Sequence, residues 1–477
     1  MQTHTKASDR YLFYSFLGLL VWLPLPLGSN RTWSEMLMVI MVALLSISWS
    51  VLFLAGKAKL SQSFKKAAVA SALLVTAQVY VYYQLYNNLS IDVDSSFREL
   101  LQGISLTLLF MLCLLLINSS QRIKTTILVI IASGLFQAVF GSLMTLSGVE
   151  YTFFLEKYTY LGVATGTFIN RNHLAGYLVI CLSLGLGMMI ASLKANTNSW
   201  KGLIRQVFEA ILSQKAILRI SLVIMVAALV MTHSRMGNTA FFASMGIIGT
   251  LAILLKKRSI GSTIVLLLSL LIIDVAVVGT FFGVGKVIDR LEKTSADSET
   301  RDEVNLYSIK VVEGNLLAGT GAGTFYNSFP AVREKEVGFM FYDHAHNDYI
   351  EFLTERGVIG IAPLVLLVVI TFLVAFTALW KRQQPLMRGC AFGCLMSMLA
   401  MAIHATVDFN LQIPANAATF MLVLALGWIG MFHKRRNRRS RQSEVGSWKL
   451  EVGSWKTEVK DKKSWKLVAI FRVVSGI

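Results

Sequence analysis

The chain alternates between long apolar runs and short polar segments. About twelve of the runs are close to the ~20 residues that an α-helix needs to cross the hydrocarbon core of a bilayer. Each of these runs predicts one membrane-spanning helix. The predicted helices occupy residues 11–27, 34–55, 67–86, 99–118, 126–146, 174–193, 217–233, 238–255, 260–283, 358–380, 389–406 and 416–432. The pattern predicts an all-α integral membrane protein.

The composition agrees with this fold class. Of the 477 residues, 55% are hydrophobic and 15% are charged, whereas soluble domains average about 25% charged residues. A net charge of +18 could indicate a nucleic-acid partner. The lysines and arginines, however, cluster between the apolar runs and in the C-terminal tail. We therefore expect membrane lipids as partners and no nucleic acid.

The distribution of Lys and Arg over the short loops predicts the orientation in the membrane. One set of alternate loops carries 17 of these residues and the other set carries 5. Cytoplasmic loops are the more positive ones, so the first set is predicted to be cytoplasmic. Both termini then lie in the cytoplasm. The long segment 284–357 becomes an extracytoplasmic loop within a transmembrane domain at 1–432.

The remaining residues, 433–477, form a basic tail with short repeats. "EVGSWKL" at 444–450 is followed directly by "EVGSWKT" at 451–457. The spacing of valines and tryptophans would suit a basic amphipathic helix lying on the inner leaflet. A low-complexity expansion without a role explains the repeat equally well, and both interpretations stay open.

Polar clusters gather on the predicted outer side. One of them, "FYDHAHNDYIEFLTERGVIG" at 341–360, brings many ionisable groups to the start of an apolar run. Charges placed at random would fall on both sides of the membrane, so their common side predicts one extracytoplasmic site. The other clusters are "GTFINRNHLAGYL" (166–178), "THSRMG" (232–237), "SETRDEVNLY" (298–307), "NLLAGTGAGTF" (315–325) and "HATVDFNLQIPANA" (404–417).

The histidines and arginines of these clusters are the candidate functional groups. His344 and His346 could bind a metal, but no third ligand stands at a characteristic spacing, so no metal is predicted. A histidine here could be a general base or could simply cap the next helix. Arg171, Arg235 and Arg301 could each be an ordinary surface arginine. Together they suit a phosphate or pyrophosphate, which guanidinium groups bind through two hydrogen bonds.

The glycine-rich segment "GTGAGTF" at 319–325 could be mistaken for a nucleotide-binding loop. Such a loop would need a preceding strand and a βαβ unit, and neither is predicted. We interpret the segment as a tight turn, and no cofactor is expected.

These segments resemble motifs of the O-antigen ligase and O-antigen polymerase superfamily of membrane glycosyltransferases. "HAHNDYIEFLTERGVIG" resembles the family's histidine-asparagine pair, its amphipathic helix and the glycine-rich entry to the next span. "GTFINRNHLAGYL" resembles a motif that precedes a transmembrane helix. "HSRMG" resembles the serine-arginine-glycine segment, with Met236 inserted before the glycine. "TRDEVNLYSIKVVEGNLLAGTGAGTF" resembles the arginine-led loop helix and its glycine turn, although the family often has a tryptophan near Tyr307 and a proline near Leu316. The resemblance covers most of 140–430.

The resemblance implies a GT-C-like glycosyltransferase of the bacterial inner membrane, with a periplasmic active site, no metal and no cofactor. Its donor would be an undecaprenyl-pyrophosphate-linked glycan. Its acceptor would be a hydroxyl group of lipid A core, of a growing glycan or of a protein. Ligase, polymerase and protein O-oligosaccharyltransferase share these motifs, so the sequence does not separate them. A lipid-linked glycan transporter is the alternative from another class, and it would predict polar residues throughout the membrane depth.

The resemblance also implies roles for individual residues. By motif match, His346 would be the base or would position the acceptor hydroxyl. Arg235 and Arg301 would hold the pyrophosphate leaving group. The further residues expected to bind substrate are His344, Asn347, Arg171 and Asn172.

Overall fold

The structure is a computed structural model, which describes residues 2–192, 214–255, 295–334, 337 and 342–433. Within these ranges the side chains of 2–8, 214–215 and 295–302 are not described. The predicted helix at 260–283 and the tail beyond residue 433 lie outside the described residues.

The described chain consists of helices, loops and one two-stranded hairpin. The hairpin pairs β1 (Tyr151–Thr152) with β2 (Leu155–Glu156). The helices are α1 (Gln2–Trp22), α2 (Thr32–Leu54), α3 (Gln62–Lys66), α4 (Ala68–Tyr86), α5 (Val93–Leu116), α6 (Ser120–Ser147), α7 (Arg171–Ser192), α8 (Gln214–Met231), α9 (Arg235–Leu254), α10 (Ser295–Gly314), α11 (Phe325–Ser328), α12 (Asp348–Lys381), α13 (Pro385–His404) and α14 (Pro414–Phe432).

Nine helices of the described residues are long and apolar enough to cross a membrane, namely α2, α4, α5, α6, α7, α9, α12, α13 and α14. A shorter apolar helix, Ala216–Met231, lies within α8. The predicted helix at 11–27 corresponds to α1, which begins earlier, at Gln2, and ends earlier, at Trp22. The protein is therefore a multi-pass helical membrane protein, as the apolar runs predicted.

Three helices form the centre of the bundle. α7 is almost completely buried and α13 and α14 are largely buried, whereas only 17% of the apolar part of α2 is buried. A Cβ atom on Gly187 of α7 would collide with the backbone of Gly389 and Gly393 of α13. Small residues let helix backbones approach closely, which is a main source of helix association in lipid. The glycines therefore fix α7 against α13.

α12 is interrupted at Gly357, where φ is 59° and ψ is −179°. This backbone conformation is accessible essentially to glycine alone. The break separates a short polar segment, 348–356, from the apolar span that follows. The backbone nitrogen of Val358 donates to the Leu316 carbonyl at 2.8 Å. The loop before α12 thus supplies a partner that the interrupted helix lacks.

The glycine-rich turn docks onto this break. All three glycines between 319 and 323 have positive φ, so the predicted tight turn is confirmed. The backbone nitrogens of Thr320 and Gly321 donate to the carbonyls of Thr354 and Glu355 at 3.0 and 2.9 Å. The turn and the end of the polar segment therefore form one hydrogen-bonded unit.

Gln84 of α4 holds the two parts of this unit together. Its Nε2 donates to the Ala318 carbonyl at 2.7 Å and to the Glu355 carbonyl at 2.9 Å. The Tyr80 hydroxyl donates to the same Ala318 carbonyl at 3.0 Å. The loop and the break in α12 are therefore attached to α4 through main-chain acceptors.

Candidate active site

The segment before α12 lies against the loop that joins α13 to α14. The backbone nitrogen of Asp348 donates to the carbonyls of Ala405 and Asp408 at 3.0 and 3.2 Å. Asn347 caps α12 with its side-chain oxygen, as asparagine commonly does. Its Nδ2 donates to the Thr406 carbonyl at 3.0 Å. The two polar clusters that contain these residues therefore meet in space.

Phe409 of the same loop is the common contact of three histidine rings. The His344 ring stacks on it with 4.1 Å between ring centroids. The rings of His173 and His346 meet it edge-on at 4.6 and 4.9 Å. Phe409 itself is 6% exposed. One buried side chain thus gathers residues from α7, from the segment before α12 and from the loop after α13.

His344 is paired with a carboxylate. Its Nδ1 lies 2.6 Å from Oε1 of Glu351, whose other oxygen accepts from the backbone nitrogen of Ala345 at 2.8 Å. Burial by itself lowers the pKa of His344, but the charge and hydrogen bond of Glu351 outweigh it and raise the pKa to about 9. The imidazole therefore carries a positive charge at neutral pH.

His346 lies two residues further along the chain. Its ring is half-buried, meets Phe409 edge-on and lies 6.4 Å from the ring of Tyr342. Its φ of 51° places it in the left-handed region, which few residues other than glycine occupy. Strained backbone of this kind concentrates at functional sites. Both histidines of the segment contact Phe409, but the His344 ring stacks on it whereas the His346 ring meets it edge-on.

Asp408 precedes Phe409 in the loop and is 1% exposed. One of its oxygens is 3.7 Å from Nε2 of His173, the third residue of α7. Burial alone raises the pKa of Asp408, but its interaction with His173 is the largest of the effects that lower the pKa overall. A buried carboxylate thus lies close to His173. Among the described side chains, no group of three His, Cys, Asp or Glu could hold a metal ion.

Arg171 and Asn172 begin α7. The guanidinium of Arg171 lies over the ring of Tyr160, 5.7 Å from its centroid. Asn172 is buried, and its backbone nitrogen donates to the side chain of Asn170 at 2.9 Å. Because His173 follows directly and touches Phe409, both residues stand at the end of the bundle where the histidines meet. We call this end the histidine end.

Arg235 is the first residue of α9 and is exposed. Its helix is capped by Ser234, whose Oγ accepts from the backbone nitrogen of Gly237 at 3.2 Å. A Cβ atom on Gly237 would collide with Ala175 of α7. The glycine therefore lets the start of α9 pack against the start of α7, which brings Arg235 to the histidine end. Both arginines begin a helix, where the partial positive charge of the helix dipole favours anions.

Arg301 belongs to α10 (Ser295–Gly314), and its side chain lies outside the described residues. α10 packs on α12, and its Val304 and Tyr307 share a buried cluster with Ala345. The predicted loop therefore contains a helix next to residues 342–347, which we call the histidine segment.

Two charged residues of the cluster at 341–360, Glu355 and Arg356, form ion pairs that stabilise the fold. The guanidinium of Arg356 contacts Glu355 and Glu99, each at 2.7 Å, and lies over the Phe352 ring. Removing one partner of a buried charge pair is strongly destabilising. These contacts tie the polar segment of α12 to α5.

Residues 220–365 match the family model described as O-antigen ligase. The chain carries an O-antigen ligase domain. The match confirms the resemblance to the O-antigen ligase and polymerase family, whose members are enzymes of glycan transfer. The search of curated proteins returned no match.

The O-antigen ligase domain includes Arg235, Arg301, His344, His346 and Asn347. Arg171, Asn172, His173, Asp408 and Phe409 lie outside the matched range. The fold nevertheless brings Phe409 against His344 and His346 of the domain, and His173 against Phe409.

Sequence reasoning missed three residues of this site. Glu351 was one of many charges near the histidines, and nothing in its spacing singled it out. Asp408 and Phe409 stood in a recognised polar cluster, "HATVDFNLQIPANA". The signal that could have selected them is the position of that cluster directly after an apolar run, which predicts the same end of the bundle.

Proposed function

We propose that the protein is an inverting glycosyltransferase of the O-antigen ligase type. It moves a glycan from undecaprenyl pyrophosphate to a hydroxyl group of lipid A core or a related surface glycan, at the periplasmic face of the inner membrane. The observation that carries the proposal is the meeting of His344, His346 and the start of α7 around Phe409, at the edge of the O-antigen ligase domain.

His346 is the proposed base. His344 is bound to Glu351 and has a pKa of about 9, so it is already protonated at neutral pH and cannot accept a proton. A general base must be unprotonated at the working pH in order to accept a proton. The positive charge of His344 serves the site in another way, because it adds to the field that attracts an anionic donor.

The proposed step transfers one proton and one glycosyl group. The acceptor hydroxyl gives its proton to the imidazole of His346 while its oxygen attacks the anomeric carbon of the donor sugar. The bond between that carbon and the pyrophosphate oxygen breaks, and the pyrophosphate leaves with the bonding electrons. Attack from the side opposite the leaving group inverts the anomeric configuration.

Arg235 and Arg301 are the proposed ligands of the pyrophosphate, with Arg171 and Asn172 as further substrate-binding residues. Pyrophosphate leaves readily once its charge is compensated, and guanidinium groups supply that compensation with paired hydrogen bonds. Arg235 and Arg171 support this role by their positions at two helix starts that pack together. The reaction then requires no metal ion.

The test is glycan transfer in isolated membranes by variants at matched expression. His346→Ala is expected to reduce transfer by the ~10²–10⁴-fold typical of a lost acid–base group. His346→Ala must remain inserted and must unfold at the same temperature as the wild type. Near-wild-type transfer by His346→Ala, together with loss of transfer in His344→Ala, would move the base to His344. If both variants kept their transfer activity, neither His344 nor His346 would be the base.

A further inference from the structure

The hairpin between α6 and α7 has an unusual tip. Its two-residue turn consists of Phe153 and Phe154, between the strands Tyr151–Thr152 and Leu155–Glu156. Phe153 has a φ of 55° at a position where such turns favour glycine. Phe154 is 98% exposed. A turn surrounded by water would be expected to carry Asn, Asp or Gly, so this tip requires a different environment.

The hairpin folds back along the side of α6. The ring of Phe153 stacks on the ring of Phe140, with 5.5 Å between centroids. Phe140 lies seven residues before Ser147, the end of α6, which is roughly 10 Å along the helix axis. The chain therefore leaves α6, reverses and returns its tip to the level of the last two turns of a predicted membrane span.

The neighbouring surface of α6 is apolar. Phe136, Val139, Leu143 and Leu146 recur every three or four residues and are all exposed. This spacing places them on one face of the helix. In a helix that is long and apolar enough to cross a membrane, such a face contacts lipid. The Phe153–Phe154 tip continues that face.

The only basic side chain of the segment 149–162 is withdrawn from the surface. The ammonium group of Lys157 donates to Glu150 at 2.7 Å and to the Val163 carbonyl at 2.8 Å, and the Lys157 side chain is 6% exposed. Glu156 is exposed, but it pairs with Tyr151 at the open end of the hairpin, away from the tip. The hairpin therefore has an apolar tip and a polar base. A bilayer likewise changes with depth, from polar headgroups to apolar acyl chains.

We infer that the hairpin is a lipid-binding element whose Phe153–Phe154 tip lies among the acyl chains of the leaflet at the histidine end. The partner of this surface is the lipid bilayer, because the tip is continuous with the lipid-facing side of α6. The element is anchored next to the candidate site, since the segment that follows it carries Tyr160, on whose ring the Arg171 guanidinium lies. This inference does not depend on the proposed reaction.

The test uses the full-length protein in lipid nanodiscs with an environment-sensitive nitrobenzoxadiazole label. Phe154→Cys removes no packing, because the side chain is almost fully exposed. The four native cysteines are buried, so the wild-type protein serves as the labelling control. The label at 154 is expected to emit at shorter wavelength than in water and to lose intensity when the lipids carry a nitroxide on the acyl chain. A label at Glu313→Cys, exposed on α10, is the matched control and is expected to show neither effect.

Two results would overturn the inference. Water-like emission from the label at 154 would place the tip in the periplasm or the cytoplasm. Short-wavelength emission that nitroxide lipids leave unchanged would mean that protein covers the tip, for example a second copy of the chain. A label at Tyr158→Cys, which is exposed and nearer the base, provides a second reading, with weaker quenching expected than at 154.

Discussion

Two histidines separated by one residue differ sharply in their surroundings. Glu351 fixes the ring of His344, whereas His346 stands in a left-handed turn against the edge of Phe409. The pair with Glu351 explains why a carboxylate lies in the first turn of a membrane-spanning helix. The motif therefore contains one charged ring, that of His344, and one ring proposed as the base, that of His346.

The pair between His344 and Glu351 predicts a pH dependence of stability. The pKa of His344 is about 9 in the folded protein and about 6.5 in an unfolded chain. Its contribution is therefore complete below pH 6.5 and is lost as the pH rises through about 9. We expect the melting temperature in detergent to fall over this window. Glu351→Gln should flatten that fall and cost about 1.5–3 kcal/mol at pH 6, whereas Glu313→Gln, at an exposed position, should leave the melting curve unchanged. If the melting temperature of Glu351→Gln still falls steeply over this pH window, another titrating group causes the fall.

The proposed role of Arg235 predicts that lysine cannot replace it. Lysine keeps the charge but cannot form the two parallel hydrogen bonds of a guanidinium group. We expect Arg235→Lys to lower transfer by about tenfold or more, which corresponds to losing one charge-assisted hydrogen bond of about 1.5–3 kcal/mol. Arg98→Lys, at an exposed arginine of α5, is the matched control for membrane transfer assays. Full activity of Arg235→Lys would show that charge alone suffices.

At the scale of elements, the apolar runs predicted most of the fold. Each predicted span within the described residues coincides with a helix, because crossing a bilayer requires a long apolar run whatever the tertiary contacts are. The predicted start of one span at 358 coincides with the break at Gly357 in α12. The apolar run did not include the polar segment 348–356, whereas the resemblance implied an amphipathic helix there, and α12 contains that segment as a helix.

The site was harder to predict than the spans. His344 precedes the cap of α12, so helical spacing does not relate it to Glu351. Phe409 comes from a distant loop, and nothing in the local sequence pairs it with three histidines. The two-residue strands of the hairpin are too short to produce an alternating pattern.

The break in α12 predicts that Gly357 cannot be replaced. A side chain there would strain the backbone and collide with the Leu317 carbonyl. We expect Gly357→Ala to cost about 1–3 kcal/mol, measured as a lower melting temperature in detergent. Gly314→Ala is the matched control, because an added Cβ meets no atom within 4 Å there. Equal melting temperatures for the two variants would show that α12 tolerates a continuous helix.

At the scale of the whole molecule, the candidate residues gather at one end of the bundle. Arg171 and Arg235 begin helices there, and the histidine segment, Asp408 and Phe409 complete it. The count of basic residues in the loops predicts that this end faces the periplasm. A donor assembled on a lipid carrier would then meet the site at the depth of the lipid headgroups.

The orientation can be tested with single cysteines and an impermeant thiol reagent in intact cells. A cysteine at Gln62 or Asn198 should be protected and one at Pro330 should be labelled, because the first two positions lie in the more basic set of loops. Gln62 and Pro330 are exposed, and the four native cysteines are buried. Labelling at Gln62 with protection at Pro330 would reverse the orientation and place the histidine end in the cytoplasm.

The attachment of the loop to α4 has a consequence for evolutionary divergence. Gln84 binds the carbonyl oxygens of Ala318 and Glu355, and every amino acid provides such a carbonyl. Substitutions at position 318 can therefore accumulate without breaking this joint, provided that Gln84 persists. Distant homologues can keep the same joint while their loop sequences drift apart. Sequence identity in this loop would then underestimate how similarly the loop is attached to the bundle in different proteins.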